Sequence, residues 1–272
     1  MKVGFIGAGR MGRPMVSRLV QAGHQVRALG RTAGARSELD TLGARAVADP
    51  AAVADAADLV IVCVFTDEQV QEVCLGGELT TAMPRGSVLA LHTTGSPRTA
   101  QAIAVNAAPD EVDVVDAPVS GGPHDIAAGR LTLFMGGTKD AVARVRPTLA
   151  SYGDPILHVG PVGAGQRMKL VNNTIFAAQI GVVAEAIRLG TELGLPESTM
   201  LEALPHASGS SRALSGIAAR GSVASFVEIV GGFVGKDIEV VRKITAELGA
   251  DLGPLDEIVN AINSDTVPRR SM

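Results

Sequence analysis

Only five of the 24 basic residues are lysines, at positions 2, 139, 169, 236 and 243. Lys169 stands apart from the rest because its neighbours in GAGQRMKLVNN, residues 163–173, are mostly apolar, small or amide-bearing. On a helix Gly165, Lys169 and Asn173 share one face, each four residues from the next. An ammonium partly withdrawn from water there can have a lowered pKa and exchange a proton near neutral pH, and the asparagine can orient both the amine and a substrate hydroxyl. This is acid–base chemistry at an oxygen atom, with Lys169 and Asn173 as candidate catalytic and substrate-binding residues.

A second group lies in DAPVSGG, residues 116–122, where a β-rich run opens into a loop. Ser120 offers a hydroxyl, and Gly121 and Gly122 offer backbone amides that no side chain shields from a carboxylate. Ser120 thus joins the catalytic and substrate candidates. HTTGSP, residues 92–97, is another strand-end loop. Thr94 is its candidate for contact with cofactor or substrate, and His92 and His124 are further candidates for substrate contact. His24, His158 and His206 show no ligand spacing, and no metal site is expected.

The third group is GFIGAGRMGRPM, residues 4–15. Gly7 permits a tight turn, Gly9 lets backbone approach a pyrophosphate without an intervening Cβ, and Gly12 allows close helix–sheet packing. Arg10 and Met11 fall inside the same cradle, and Pro14 is tolerated in the first helical turn. The tip of the second strand, LGRT, lacks the acid that would bind a ribose diol. Arg31 and Thr32 stand there instead, a pair able to hold a 2′-phosphate, which favours NADP while leaving NAD open.

These groups need a scaffold that brings them to one edge. KVGFIG, QVRALGR, ARAV, DLVIVCVF, SVLALHTT and VDVVDAPVS alternate with helix-compatible stretches at 10–22, 34–42 and 97–106, the pattern of βαβ units and a mostly parallel sheet. The continuously apolar LVIVCVF and SVLAL fit strands covered on both faces. LTLFMGG and PILHVGPVG extend the sheet around a helix near 139–150. From Gly165 to the stop signal Gly194-Leu195-Pro196 one long helix is expected, roughly 45 Å in length. Its apolar middle calls for other elements around it, a second subunit among them. Beyond it, helical segments broken at HASGSS, RGSVAS and IVGGFVG make a mostly α region. The expected fold is therefore α/β, a Rossmann-like sheet over residues 1–161, followed by the long helix and an all-α domain over 162–272.

Composition narrows the function. With 46% hydrophobic and 19% charged residues the chain is expected to fold, and a net charge of -4 provides no broad basic surface for nucleic acid. Cys63 and Cys74 have no metal-type spacing, and Cys63 reads as a buried thiol. No leader segment fits ahead of the strand at Lys2, and no apolar run reaches about 18 residues. A cytoplasmic location without membrane contact is expected.

Together GFIGAGRMGRPM, DAPVSGG, GAGQRMKLVNN and GKDIEVV, in that order from residue 4 to about 242, resemble the β-hydroxyacid dehydrogenase family, relatives of 6-phosphogluconate dehydrogenase and of imine reductases. The resemblance implies reversible hydride transfer between a nicotinamide and a small hydroxyacid or semialdehyde acid, in a homodimer or homotetramer. It assigns Lys169 as the catalytic lysine, Asn173 as its nearby asparagine, and Ser120, Gly121 and Gly122 as the substrate loop. Lys236, Val64, Phe65 and Arg31 become cofactor contacts. Departures from the family pattern are Phe65-Thr66 in place of Leu-Pro, Arg212 in place of a large aromatic, the glycines of IVGGFVG and an end at Met272 ahead of the usual tail. Arg212 suggests a partner for a second anionic group on the substrate. Two alternatives remain, an imine reductase, against which Lys169 argues, and a nicotinamide-binding protein without turnover.

Overall fold

In the computed structural model, residues 1–260 are described. The first part of the chain runs β1 (Lys2–Ile6), α1 (Gly12–Gln21), β2 (Gln25–Leu29), α2 (Ala33–Thr41), β3 (Arg45–Val47), α3 (Pro50–Ala54), β4 (Leu59–Val62), α4 (Asp67–Cys74), α5 (Leu79–Ala82), β5 (Val88–Leu91), α6 (Pro97–Ala107), β6 (Asp113–Asp116), β7 (Val119–Ser120), α7 (Pro123–Ala127), β8 (Leu131–Gly136), α8 (Lys139–Leu149) and β9 (Gly153–Gly160). The rest is helical: α9 (Ala164–Glu192), α10 (Glu197–Ala203), α11 (Arg212–Ala218), α12 (Val223–Glu247) and α13 (Pro254–Asn260). The chain divides into two compact units, Met1–Lys169 and the part from Leu170 onward.

The sheet order is β3-β2-β1-β4-β5-β6-β8-β7, with β9 paired to β8. Strands β1 to β6 are mutually parallel, and β8 runs antiparallel to β6 and β7. Side-chain alternation explains why LVIV is apolar throughout. Leu59 and Ile61 enter one core with Phe5, Met15, Leu19 and Val115, while Val60 and Val62 enter the other with Ile6, Leu89, Leu91 and Ile103. Each face of the sheet is thus covered by helices, as parallel strands require. The order turns back between β1 and β4, which creates the crevice in which folds of this kind bind ligands.

Two local expectations are corrected. VDVVDAPVS is two strands, β6 and β7, because Pro118 has no N–H to offer a ladder and Ala117 before it is restricted. IVGGFVG does not break a helix: α12 runs straight through Gly231, Gly232 and Gly235. Ser222 caps its start by accepting from Ser225 N at 3.1 Å. Phe226, Ile238 and Val241, buried, and Val230 and Val234, half-buried, then line one apolar stripe at helical spacing. That apolar face outweighs glycine penalties of about 1 kcal/mol each.

Helix α9 is long and apolar enough to cross a membrane by length and composition, with a window of mean hydropathy 1.4, so the expectation that no such run exists does not hold. Half of that window is buried inside the fold, and Val171, Ile175 and Val182 remain exposed on the helix.

Candidate functional site

The glycine cradle follows β1. Gly7 has φ +98°, and a Cβ there would lie 2.2 Å from the carbonyl oxygen of Cys63, so the loops after β1 and β4 touch at the crevice. A Cβ on Gly12 would meet Gly7 O at 2.2 Å and Phe5 Cε1 at 2.8 Å. Gly9 differs from both, being exposed with nothing within 4 Å of the corresponding point. Its N–H donates to Gly7 O at 2.8 Å and closes the turn. Helices α2, α4, α6 and α8 each begin with a side-chain cap, on Thr32, Thr66, Ser96 and Thr138, whereas Met11 at the start of α1 makes none. An open glycine before an uncapped helix start leaves room for an anion such as a pyrophosphate. Arg10 is exposed there and Met11 half-buried.

At the tip of β2, Arg31 and Thr32 are exposed, and Thr32 Oγ1 accepts from Ala35 N at 3.1 Å as the cap of α2. Val64 is half-buried and Phe65 is exposed after β4, where Phe65 N donates to Gln69 Oε1 at 2.9 Å. Thr66 and Gln69 form a reciprocal capping box, readable in the sequence as Thr-x-x-Gln.

The loop after β5 carries Thr94, half-buried between two tethered neighbours. Thr93 Oγ1 donates to Val64 O at 3.0 Å, and Gly95 N donates to Gln166 Oε1 at 2.9 Å. His92 is buried in the core and does not reach into the loop. Its Nδ1 lies 2.7 Å from Ala117 O and its Nε2 2.7 Å from the Tyr152 hydroxyl. Burial lowers its pKa to about 4, so the ring is neutral: Nδ1–H donates to the carbonyl and Nε2 accepts from Tyr152. His92 is therefore an internal tie and not a substrate contact.

In the substrate-loop candidate, Ser120 is half-buried on β7 opposite Thr132. Gly121 has φ +132° and is exposed. The amide of Gly122 is not open as expected, since it donates to Asp125 Oδ2 at 2.8 Å. His124 lies beside the same carboxylate, its Nε2 3.3 Å from Asp125 Oδ2.

Asp116, the first residue of DAPVSGG, is fully buried at the end of β6. Its carboxylate accepts from Gly163 N at 2.6 Å and Gln166 N at 2.7 Å, so it caps the start of α9. Burial pushes its pKa up, against the two amides and the charge of Arg167. Gly136 and Gly165 make room for it, since a Cβ on either would crowd Asp116 within 3 Å. These contacts join residues some fifty positions apart, and local spacing carries no signal of them. Lys169 is buried one turn further along α9.

In the helical unit, Asn173 follows on the next turn of α9, buried, with Oδ1 accepting from Asn172 Nδ2 at 3.3 Å and Nδ2 without a hydrogen-bond partner. Arg212 is exposed at the start of α11, and Lys236 is half-buried on α12. Burial pushes the thiols of Cys63 and Cys74 up to about 12. Among the described residues no group of three or more His, Cys, Asp or Glu side chains could hold a metal ion.

Residues 2–160 match the model for the NAD-binding domain of 6-phosphogluconate dehydrogenase, and residues 163–262 match that for the NAD-binding region of NADP-dependent 3-hydroxyisobutyrate dehydrogenase. The chain belongs to the β-hydroxyacid dehydrogenase family. It is 35% identical to 2-(hydroxymethyl)glutarate dehydrogenase of Eubacterium barkeri over 79% of this chain and 71% of the relative. Among solved structures, a Mycobacterium tuberculosis 3-hydroxyisobutyrate dehydrogenase with L-serine superposes with TM-score 0.86 at 27% identity, over 96% and 92% of the two chains. A Streptomyces aurantiacus imine reductase shares the fold alone, at TM-score 0.67 and 21% identity over 97% and 93%. This family member is a nicotinamide-dependent oxidoreductase acting on CH–OH groups.

Proposed function

We propose that the protein is an NADP-preferring dehydrogenase or reductase of small β-hydroxyacids or semialdehyde acids, with Lys169 as its general acid and base. The observation that carries the reading is Asn173 Nδ2, a buried amide donor without a partner, one helical turn after the buried Lys169. An unsatisfied buried donor costs about 1–3 kcal/mol, and a substrate oxygen would supply the missing acceptor.

The cradle Gly7, Gly9, Arg10, Met11 and Gly12 would hold the cofactor pyrophosphate, with Val64, Phe65, Thr94 and Lys236 as further contacts. Arg31 and the start of α2 would hold a 2′-phosphate, and the Thr32 hydroxyl, which accepts from Ala35, keeps its proton to donate. The bound nicotinamide supplies or accepts the hydride. Lys169 then delivers a proton to the substrate oxygen as negative charge develops on it in reduction, and removes that proton in oxidation. Asn173 holds the oxygen in place. Ser120 and the Gly121 amide would bind the substrate carboxylate, and Gly122 contributes by shaping the loop through Asp125.

Arg212, exposed at the start of α11, would pair with a second carboxylate, and one relative is named for such a dicarboxylate, 2-(hydroxymethyl)glutarate. Residues 1–161 would serve as the cofactor domain and 162–272 as the substrate and oligomerisation domain. Exposed Val171, Ile175, Val182 and Leu189, four or seven residues from one to the next on α9, suit burial by a second copy in a homodimer or homotetramer. The enzyme would work in the cytoplasm, without nucleic acid or membrane.

Assays of hydroxyacids and semialdehydes with NADP and NAD test the reading. Lys169→Ala should reduce kcat by about 10²-fold or more while cofactor binding persists. Full turnover in that variant would remove the lysine from the mechanism. No nicotinamide absorbance change with any substrate would favour a non-catalytic binding protein instead.

A further inference from the structure

Gln166 is 2% exposed and reaches from the first turn of α9 to the loop after β5. Its Oε1 accepts from Gly95 N at 2.9 Å and its Nε2 donates to Thr93 O at 2.8 Å, while its own backbone N–H is held by Asp116 at 2.7 Å. Both ends of the amide are used against backbone, on either side of Thr94. The clamped loop continues the network, since Thr93 Oγ1 donates to Val64 O, and Ser96 N donates to Asp67 Oδ1 at 3.0 Å. Asp67 Oδ2 in turn accepts from Thr99 Oγ1 at 2.6 Å. Val64 and Thr94 belong to the proposed cofactor contacts, and Lys169 lies three residues beyond Gln166 on the same helix.

We infer that Gln166 is a positioning residue that fixes the loop carrying Thr94 against the helix turn carrying Lys169, and so sets the spacing between cofactor and proton donor. The inference rests on the proposed role of Lys169. A primary amide is the group this place requires, because it presents one acceptor and one donor side by side to a backbone N–H and a backbone C=O. A methionine fills similar space but makes neither bond. A glutamate makes both only when protonated: its C=O accepts from Gly95 and its O–H donates to Thr93 O, whereas the carboxylate sets oxygen against oxygen.

The test compares full-length wild type, Gln166→Met, Gln166→Glu and Lys169→Ala. It reads kcat, KM, the primary deuterium isotope effect with reduced cofactor labelled at the transferred position, cofactor affinity by fluorescence, and thermal midpoint. For Gln166→Met, kcat should fall about 10- to 100-fold, as a misplacement near 1 Å does, with an isotope effect above wild type and cofactor affinity within about threefold. For Gln166→Glu, kcat relative to wild type should recover about tenfold as pH falls from about 8 to about 5.5, because burial raises the carboxyl pKa into that window.

Wild-type kcat in Gln166→Met overturns the inference. So does a loss of turnover that only follows a lowered folded fraction with an unchanged isotope effect, or a Glu-to-wild-type ratio that is flat with pH. Full turnover in Lys169→Ala would instead overturn the acid–base reading, and the isotope effect of the Gln166 variants still reports separately on placement of the cofactor loop.

Discussion

Two short glycine runs, GAGRMG after β1 and VGGFVG inside α12, have similar composition and opposite physics. In the first, Gly7 and Gly12 are demanded by backbone: an added Cβ would stand 2.2 Å from Cys63 O and from Gly7 O, respectively. In the second, Gly232 and Gly235 have nothing within 4 Å, and Gly231 has only Val227 Cγ1 at 3.5 Å. Glycine in the cradle is a condition of the fold, whereas in α12 it is a cost that the apolar stripe of that helix overcomes. The count of glycines does not separate the cases; the neighbours do.

The largest expected effect lies in the cradle. Gly12→Ala should destabilise the protein by about 3 kcal/mol or more, because the clash is with backbone and an aromatic edge and not with a flexible chain end. Gly9→Ala should leave the unfolding free energy from urea titration within about 0.5 kcal/mol of wild type yet weaken cofactor binding more than about tenfold. Equal destabilisation by both substitutions would erase the distinction between a packing glycine and a ligand glycine.

The contrast between specified and slack regions extends to the buried His92–Tyr152 pair, whose rings meet edge to face at 5.9 Å. Burial lowers the histidine from 6.5 to about 4, so its contribution to stability is complete above pH 6.5 and is lost as pH falls toward about 4, by about 3 kcal/mol. Asp116, raised by burial, slopes the other way at the acid end of that window. Urea midpoints of wild type and His92→Phe across this range isolate the histidine: the gap between them should narrow toward acid, and a constant gap would contradict the assignment. The smallest effect is expected in α12. Gly232→Ala and Gly235→Ala should each stabilise by about 0.5–1 kcal/mol, read as a higher thermal midpoint. Destabilisation would show that the slack is needed.

What could be read from the sequence was local. The strand–cradle–helix order at residues 2–21, the two-faced strand LVIV and the long helix all depend on periodicity and turn glycines within one window. The continuity of α12 was hidden because glycines punctuate a sequence more strongly than the apolar stripe it also carries. In the candidate site, the placement of Lys169 and Asn173 four apart on one helix was legible, but the environment was not. Gln166 meets Thr93 and Gly95 across more than seventy residues, and Asp116 meets Gly163 across 47. The amide of Gly122 looked open because Asp125, only three residues on, reads equally well as a surface acid before it folds back.

The division between the two compact units falls between Lys169 and Leu170, inside α9. Where many two-part chains have a pliable linker to lengthen, shorten or exchange, this one has an unbroken helix. One residue inserted at that point would shift the following helix positions by about 100° around the axis, carrying Asn173 off the face it shares with Lys169. A change of length inside α9 would therefore cost the face that Lys169 and Asn173 share, which a change in a loop would leave intact.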